Sequence, residues 1–197
     1  MNVEVIRSFI AIELPSEIKT ELKRLQDALK VGNSSWLRLV SPDSIHLTLK
    51  FLGDITSDKI EEITMAVTDA AKNLNTFSLK LEGLGVFPNL KRIQVVWVGL
   101  SGDLDKLSRL QRQIEANMAI LVYPEEGREF TPHLTLARVR YQPPPAELQK
   151  FTHLLTSTKA SNIGKIEVKA IDLMKSQLTP QGAIYSKLGS VGLKIIS

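Results

Sequence analysis

Apolar residues recur along this chain at two periods, and the alternation between those periods predicts the order of its elements. Val3 to Leu14 is rich in Val, Ile and Phe and stops at Pro15, which predicts a strand. Ile18, Leu22, Leu25 and Leu29 then recur at helical spacing, with Ser16 placed to cap that helix and Gly32 and Asn33 to end it. Trp36 to Val40 reads as a short extended piece, and the turn Ser41-Pro42-Asp43 leads into a strand over Ile45–Leu52. Ser57 is placed to cap a second helix whose inner face carries Ile60, Ile63, Val67, Ala70 and Leu74. Phe77–Leu81 and Ile93–Leu100 read as strands separated by turn residues at Gly83, Gly85, Pro88 and Asn89.

A third helix carries Leu104, Leu107, Leu110, Ile114, Met118 and Leu121 at steps of three and four. Phe130–Val139 reads as a strand, and Pro143-Pro144-Pro145 as a rigid connector into a helix from Ala146 to about Ser157. Two strands close the chain, Lys165–Leu178 and Ala183–Leu188, joined by a Thr179-Pro180-Gln181-Gly182 turn. No linker or low-complexity segment divides it, so residues 1–197 are expected to form a single domain. Several strands with interspersed helices and hairpin-like turns predict an α+β fold with mostly antiparallel sheets.

Composition removes whole classes of chemistry. With no Cys among 197 residues, disulfides, thiol nucleophiles, iron–sulfur clusters and thiolate zinc sites are excluded. Three His leave little for a multi-imidazole metal site. A net charge of +4 and a pI near 9.3 lean mildly toward anionic partners, a lean that solubility alone would also produce. Glu4 and Arg7 break up the N-terminus where a secretory apolar stretch would lie, and no run approaches the roughly 18–20 apolar residues that span a bilayer. The expectation is a cytoplasmic monomer with no membrane partner.

Two of the three His occupy the same tetrapeptide, His46-Leu47-Thr48-Leu49 and His133-Leu134-Thr135-Leu136, 87 residues apart. Each copy lies in a segment of alternating polarity; in the first, Ile45, Leu47, Leu49 and Phe51 alternate with His46, Thr48 and Lys50. Residues i and i+2 of a strand point to one face, so His46 and Thr48 project side by side about 6.5–7 Å apart, as do His133 and Thr135. One copy alone is an ordinary polar pair on an exposed sheet face, where Thr is a favoured strand former. The repetition makes it a candidate active site. An imidazole titrates near pH 6.5, so two facing His can hold one acid and one base near neutrality. Phosphodiester hydrolysis without metal needs that pair, a base for water and an acid for the leaving oxygen. The Thr hydroxyls can donate to non-bridging phosphate oxygens, where negative charge builds up.

These paired motifs resemble the two signatures of the two-histidine (2H) phosphoesterase superfamily, and within it the RNA 2′,3′-cyclic phosphodiesterase family, also named 2′-5′ RNA ligase. The resemblance covers most of the chain. Arg7-Ser8-Phe9-Ile10-Ala11-Ile12 is similar to the family's opening strand, and His46 through Gly53 to its first motif strand. Phe87-Pro88 with Val96-Trp97-Val98-Gly99-Leu100 is similar to its middle strand, Thr131 through Arg138 to the second motif, and Ser176 through Tyr185 to the closing hairpin. The resemblance implies a bilobal fold, two pseudo-symmetric lobes whose sheets face a central cleft with helices outside and one motif from each lobe. It implies that His46 is the proton donor to the 3′ leaving oxygen and His133 the proton acceptor from water. It further implies a 2′-phosphate product, no metal and no cofactor. The partner it implies is RNA with a 2′,3′-cyclic phosphate end, such as tRNA halves or short oligonucleotides.

Other residues carry weaker signals. The resemblance gives Arg138 a phosphate-binding role, yet strict alternation turns it away from His133 and Thr135 unless a bulge restores its reach. Lys50 shares the predicted face of His46 and Thr48, so it either contacts the RNA backbone or is a solvated lysine. Phe9 and Tyr185 are base-stacking candidates by family position. Trp36 and Trp97 sit among aliphatic residues, which favours core packing, and His153 reads as a surface or helix-packing residue. The rival readings are a 2′-5′ RNA ligase and a non-catalytic RNA- or nucleotide-binding module. A zinc hydrolase lacks a matched carboxylate ligand near either motif.

Overall fold

The structure, a computed structural model, describes residues 4–30, 35–180 and 182–195. The chain runs β1 (Val5–Glu13), α1 (Ser16–Ala28), β2 (Leu37–Leu39), β3 (His46–Thr56), α2 (Ile60–Ala71), β4 (Phe77–Asn89), β5 (Arg92–Gly102), α3 (Leu104–Ile120), β6 (His133–Val139), α4 (Pro145–Ser157), β7 (Gly164–Val168), β8 (Ala170–Thr179) and β9 (Gly182–Gly192). The strands form two antiparallel sheets, β3-β1-β8-β9 and β2-β6-β5-β4-β7. One motif strand belongs to each sheet, and β3 and β6 come into contact. This is the α+β, two-sheet architecture expected from the sequence.

Two of the helices, α1 and α3, are exchanged between the sheets. Helix α1 follows β1 of the first sheet but packs on β6 and β7 of the second, burying Ile18 and Leu22. Helix α3 follows β5 of the second sheet but packs on α2 and β3, burying Leu107, Leu110, Ile114 and Met118. Most buried apolar residues therefore form one continuous cluster running behind both sheets, from Ile10 and Leu47 to Val98 and Leu134, while Phe9, Ala11 and Met174 form a small separate one.

Several local expectations give way to tertiary structure. Ser16 is the first helical residue rather than the cap, because the Pro15 carbonyl accepts from the Ile18 and Lys19 amides. Ser57 opens a short 3₁₀ turn before α2, and its hydroxyl accepts from the Glu4 amide at 3.3 Å. Gly32, Asn33, Gln181 and Val3 lie outside the described residues. The predicted Phe77–Leu81 strand continues to Asn89, through an irregularity between Leu81 and Leu84. Lys165–Leu178 divides at Lys169, where the chain leaves the second sheet as β7 and enters the first as β8.

One more departure decides which residues face the cleft. Against β1, Ala11 stands opposite Thr48 and Ile10 opposite Lys50, so Leu49 has no partner. Against β5, Trp97 stands opposite Thr135 and Val96 opposite Ala137, so Leu136 has none. Each motif strand thus carries a β-bulge straight after its His-Leu-Thr, and the extra residue reverses the alternation beyond it, on β3 as far as a second unmatched residue at Leu52. Lys50 is turned inward by this reversal and does not line the cleft, correcting the expectation that it shares the His46 face. Its buried ammonium lies 2.5 Å from Glu115 Oε2 on α3 and donates to the Pro124 carbonyl at 2.8 Å.

Breaking that ion pair from its two ends has unequal consequences. Glu115→Leu strands an enclosed ammonium and is expected to cost about 3–5 kcal/mol. Lys50→Met leaves a carboxylate that water still reaches, so its cost is expected to be smaller. Urea unfolding of both variants checks this, and a larger loss in Lys50→Met would contradict the described burial.

Candidate active site

Between the two sheets lies a cleft of about 810 Å³. Of the residues singled out in the sequence, His46, Thr48, His133, Thr135, Arg138, Phe9 and Tyr185 line it, and Lys50 does not. His46 and Thr48 precede the bulge of β3 and His133 and Thr135 precede that of β6, so each pair keeps the cleft face of its strand. Beyond the bulges, the reversed alternation brings in Phe51 from one side and Arg138 from the other.

Both imidazoles are anchored the same way. His46 Nδ1 lies 2.9 Å from the Ser44 carbonyl and His133 Nδ1 lies 2.7 Å from the Thr131 carbonyl. A carbonyl can only accept, so Nδ1 carries the proton in each ring. The Nε2 atoms are left as the positions at which protons can be exchanged.

Aromatic rings fix the planes of both imidazoles. His46 stacks on Phe9 with centroids 4.6 Å apart and meets the edge of Tyr185 at 5.0 Å. His133 meets Phe87 edge-on at 5.0 Å, and Trp97 lies 6.2 Å away. Trp97 is therefore not the core residue its aliphatic neighbours suggested; only Trp36 is, buried against Phe151. Room for the Trp97 ring comes from Gly85 directly across the strand pair, where a Cβ would meet the indole at 2.2 Å.

The electrostatic surroundings of the two motifs differ. Burial pushes the His46 pKa down from 6.5 to about 4; the Ser44 carbonyl and the Glu13 carboxylate oppose that shift, and Arg138 adds to it. Glu13 stands directly opposite His46 on β1, whereas the position opposite His133 on β5 is Gly99. Among the described residues the cleft lining includes Arg7, Lys23, Arg38 and Arg138 but no Asp or Glu, and Lys23 is paired with Asp27 outside it. Such a cleft attracts anions. Among the described residues no three His, Asp or Glu side chains gather as metal donors. No described helix is long and apolar enough to cross a membrane.

The bulge of β6 has its own support. Gln26, buried on α1, donates from Nε2 to the Leu136 carbonyl at 2.8 Å and to the Val40 carbonyl at 2.7 Å. The Val40 amide also donates to Leu136 at 2.9 Å. The carbonyl of the unmatched residue thereby accepts two hydrogen bonds, which support the bulge that turns Arg138 toward the cleft. Sequence reasoning passed over Phe51, Gln26, Arg7 and Arg38. Phe51 fell in the apolar row of a strictly alternating strand, and Gln26 sat at a helical position with no visible partner.

The sequence profile of the LigT like Phosphoesterase family matches this chain twice, over residues 12–97 and 98–185, and each match contains one His-x-Thr motif. The RNA 2′,3′-cyclic phosphodiesterase of Methanothermobacter thermautotrophicus is 32% identical over 93% of this chain and 96% of its own length. The RNA 2′,3′-cyclic phosphodiesterase of Methanocaldococcus jannaschii is 32% identical over 91% and 96%. Among solved structures, TT0787 of Thermus thermophilus is 25% identical and superposes with a TM-score of 0.78 over 96% of this chain and 98% of that one. Escherichia coli LigT complexed with 3′-AMP is 25% identical, with a TM-score of 0.76 over 96% and 99%.

The environment of His46 generates a pH prediction. Its folded pKa lies below the unfolded value, so the neutral ring is favoured, and the stability this contributes is present above pH 6.5 and lost as pH falls toward 4. NMR titration of the free protein is expected to place the His46 midpoint near 4. A midpoint at 6.5 or above would contradict the described burial.

Proposed function

Because this chain belongs to the LigT-like phosphoesterase family, a 2H phosphoesterase family with cyclic phosphodiesterase activity, we propose that it hydrolyses terminal 2′,3′-cyclic phosphates of RNA to 2′-phosphates. The observation that carries the reading is the pair of Nδ1-anchored imidazoles, one from each sheet, beside Thr hydroxyls in one anion-attracting cleft. A non-catalytic RNA-binding module would have no use for two imidazoles fixed in the same tautomer.

In this mechanism His133 Nε2 accepts a proton as a water oxygen bonds to phosphorus. His46 Nε2 gives a proton to O3′ as the P–O3′ bond breaks. The product holds the phosphate on O2′, and exchange of protons with solvent restores both rings. Thr48 and Thr135 donate to the non-bridging oxygens, and the Arg138 guanidinium neutralises their charge. Phe9 and Tyr185, besides bracing His46, offer faces to a base. No metal ion takes part, so activity is expected to survive chelation.

A proton donor with a pKa of about 4 is mostly unprotonated at neutral pH. The entering substrate answers this, because a phosphodiester anion next to His46 favours the imidazolium, as Glu13 already does. The depressed pKa of His46 favours the opposite reading, in which His46 is the base and His133 the acid.

A sulfur-substituted leaving group separates the two assignments. His46→Ala and His133→Ala are each expected to lower kcat by about 10²–10⁴ on an RNA 2′,3′-cyclic phosphate. With a 3′-thio analogue, whose thiolate leaves without a proton, His46→Ala is expected to regain most of its loss and His133→Ala little. Recovery by His133→Ala instead would exchange the two roles. Turnover by either variant at the wild-type rate on the oxygen substrate would remove the function altogether. Thr135→Val is expected to cost about 10²-fold in kcat with folding intact.

A further inference from the structure

The reaction as described uses one guanidinium, and a second stands beside it. Arg38 on β2 is directly opposite Arg138 on β6, so both side chains leave the same face of the second sheet. Directly opposed residues of an antiparallel pair have Cα atoms about 4.5–5.5 Å apart.

Arg38 also spans the cleft. A Cβ on Gly182, at the start of β9, would lie 2.9 Å from the Arg38 Nη2 atom. The guanidinium therefore reaches from the second sheet to the β8–β9 hairpin of the first. That end of the hairpin is held by the Thr179 hydroxyl, which donates to the Gly182 carbonyl at 2.6 Å and accepts from the Gly182 amide at 3.2 Å. Next to it, Leu178 lines the cleft although it is 67% exposed, an apolar surface of the kind on which a ribose or base rests. The 810 Å³ cleft that holds the two His and Arg138 also includes this end, since Arg38, Leu178, Thr179 and Gly182 line it too.

We infer that Arg38 and the β8–β9 hairpin form a second phosphate subsite, which takes the phosphate on the 5′ side of the terminal nucleotide. This rests on the cyclic phosphodiesterase reading and names its substrate class: an oligonucleotide end, or a terminal nucleotide with a 5′-phosphate, rather than a bare cyclic mononucleoside phosphate. Arg38 donates to the non-bridging oxygens of that phosphate while Arg138 holds the reacting one.

Three substrates test it on the intact chain: a nucleoside 2′,3′-cyclic phosphate, the same compound with a 5′-phosphate, and a dinucleotide ending in the cyclic phosphate. Wild-type kcat/KM is expected to rise at least tenfold from the first to each of the others. In Arg38→Ala that rise is expected to shrink below threefold, with Arg38→Lys between the two. The slope of log(kcat/KM) against log salt for the dinucleotide is expected to flatten by about 0.7, the loss of one single-strand phosphate contact. The inference is overturned if wild type shows no rise, or if Arg38→Ala keeps it. It is also overturned if only the dinucleotide gains, since the gain then comes from the extra nucleoside and not from the phosphate. If wild type opens none of the three compounds, the cyclic phosphodiesterase reading falls and this inference with it.

Discussion

The unmatched residue straight after each His-Leu-Thr decides what the cleft contains. A strand's side chains alternate with a period of two, so a single extra residue exchanges the faces of everything that follows. Up to Thr48 and Thr135 both strands obey the pattern their sequences announce, and His and Thr share the cleft. After Leu49 and Leu136 the pattern inverts. The inversion delivers Phe51 to one wall and Arg138 to the other, and sends Lys50 and Ala137 to the interior. The two bulges are stabilised by different means. On β6 the unmatched carbonyl is satisfied by Gln26 and the Val40 amide, and the residue turned inward is a small alanine. On β3 the inward residue is a lysine, which must bring Glu115 and the Pro124 carbonyl with it.

The two halves share a motif but not a chemistry. The residue opposite His46 is a carboxylate and the residue opposite His133 is a glycine. Five positions beyond each His, one half presents an aromatic ring and the other a guanidinium. His46 is enclosed by Phe9 and Tyr185, and that enclosure, more than any charge, sets its titration. Two imidazoles held by identical Nδ1–carbonyl bonds can therefore take different parts in one proton transfer because their neighbours differ.

How much of this the sequence discloses follows from the range of each interaction. Helical spacing at Leu104 to Leu121 and alternation around each His-Leu-Thr-Leu are local properties, and the elements they announce are present. The repeated tetrapeptide, strongest of all, marks the cleft itself. The bulges are invisible because the unmatched residues are ordinary leucines; they exist only relative to β1 and β5. The division of β7 from β8 at Lys169 carries no Gly or Pro, so nothing local marks where one sheet hands the chain to the other. Ser16 and Ser57 have the composition of caps, but Pro15 and Glu4 claim the bonds they would have made or direct them elsewhere. Arg38 lay in a stretch too short for periodicity to orient, and its partner strand lies a hundred residues away.

The crossing of α1 and α3 between the sheets has a mechanical corollary. A pair of jaws hinged at one end could gape to admit a folded duplex, but here each jaw is bolted to the other by a helix borrowed from its neighbour's half. Opening would strip Ile18 and Leu22 from one sheet and Leu107, Ile114 and Met118 from the other, exposing apolar surface at roughly 1.5–3 kcal/mol per side chain. Such a mouth resists widening, and what enters must fit the opening that the two sheets already leave.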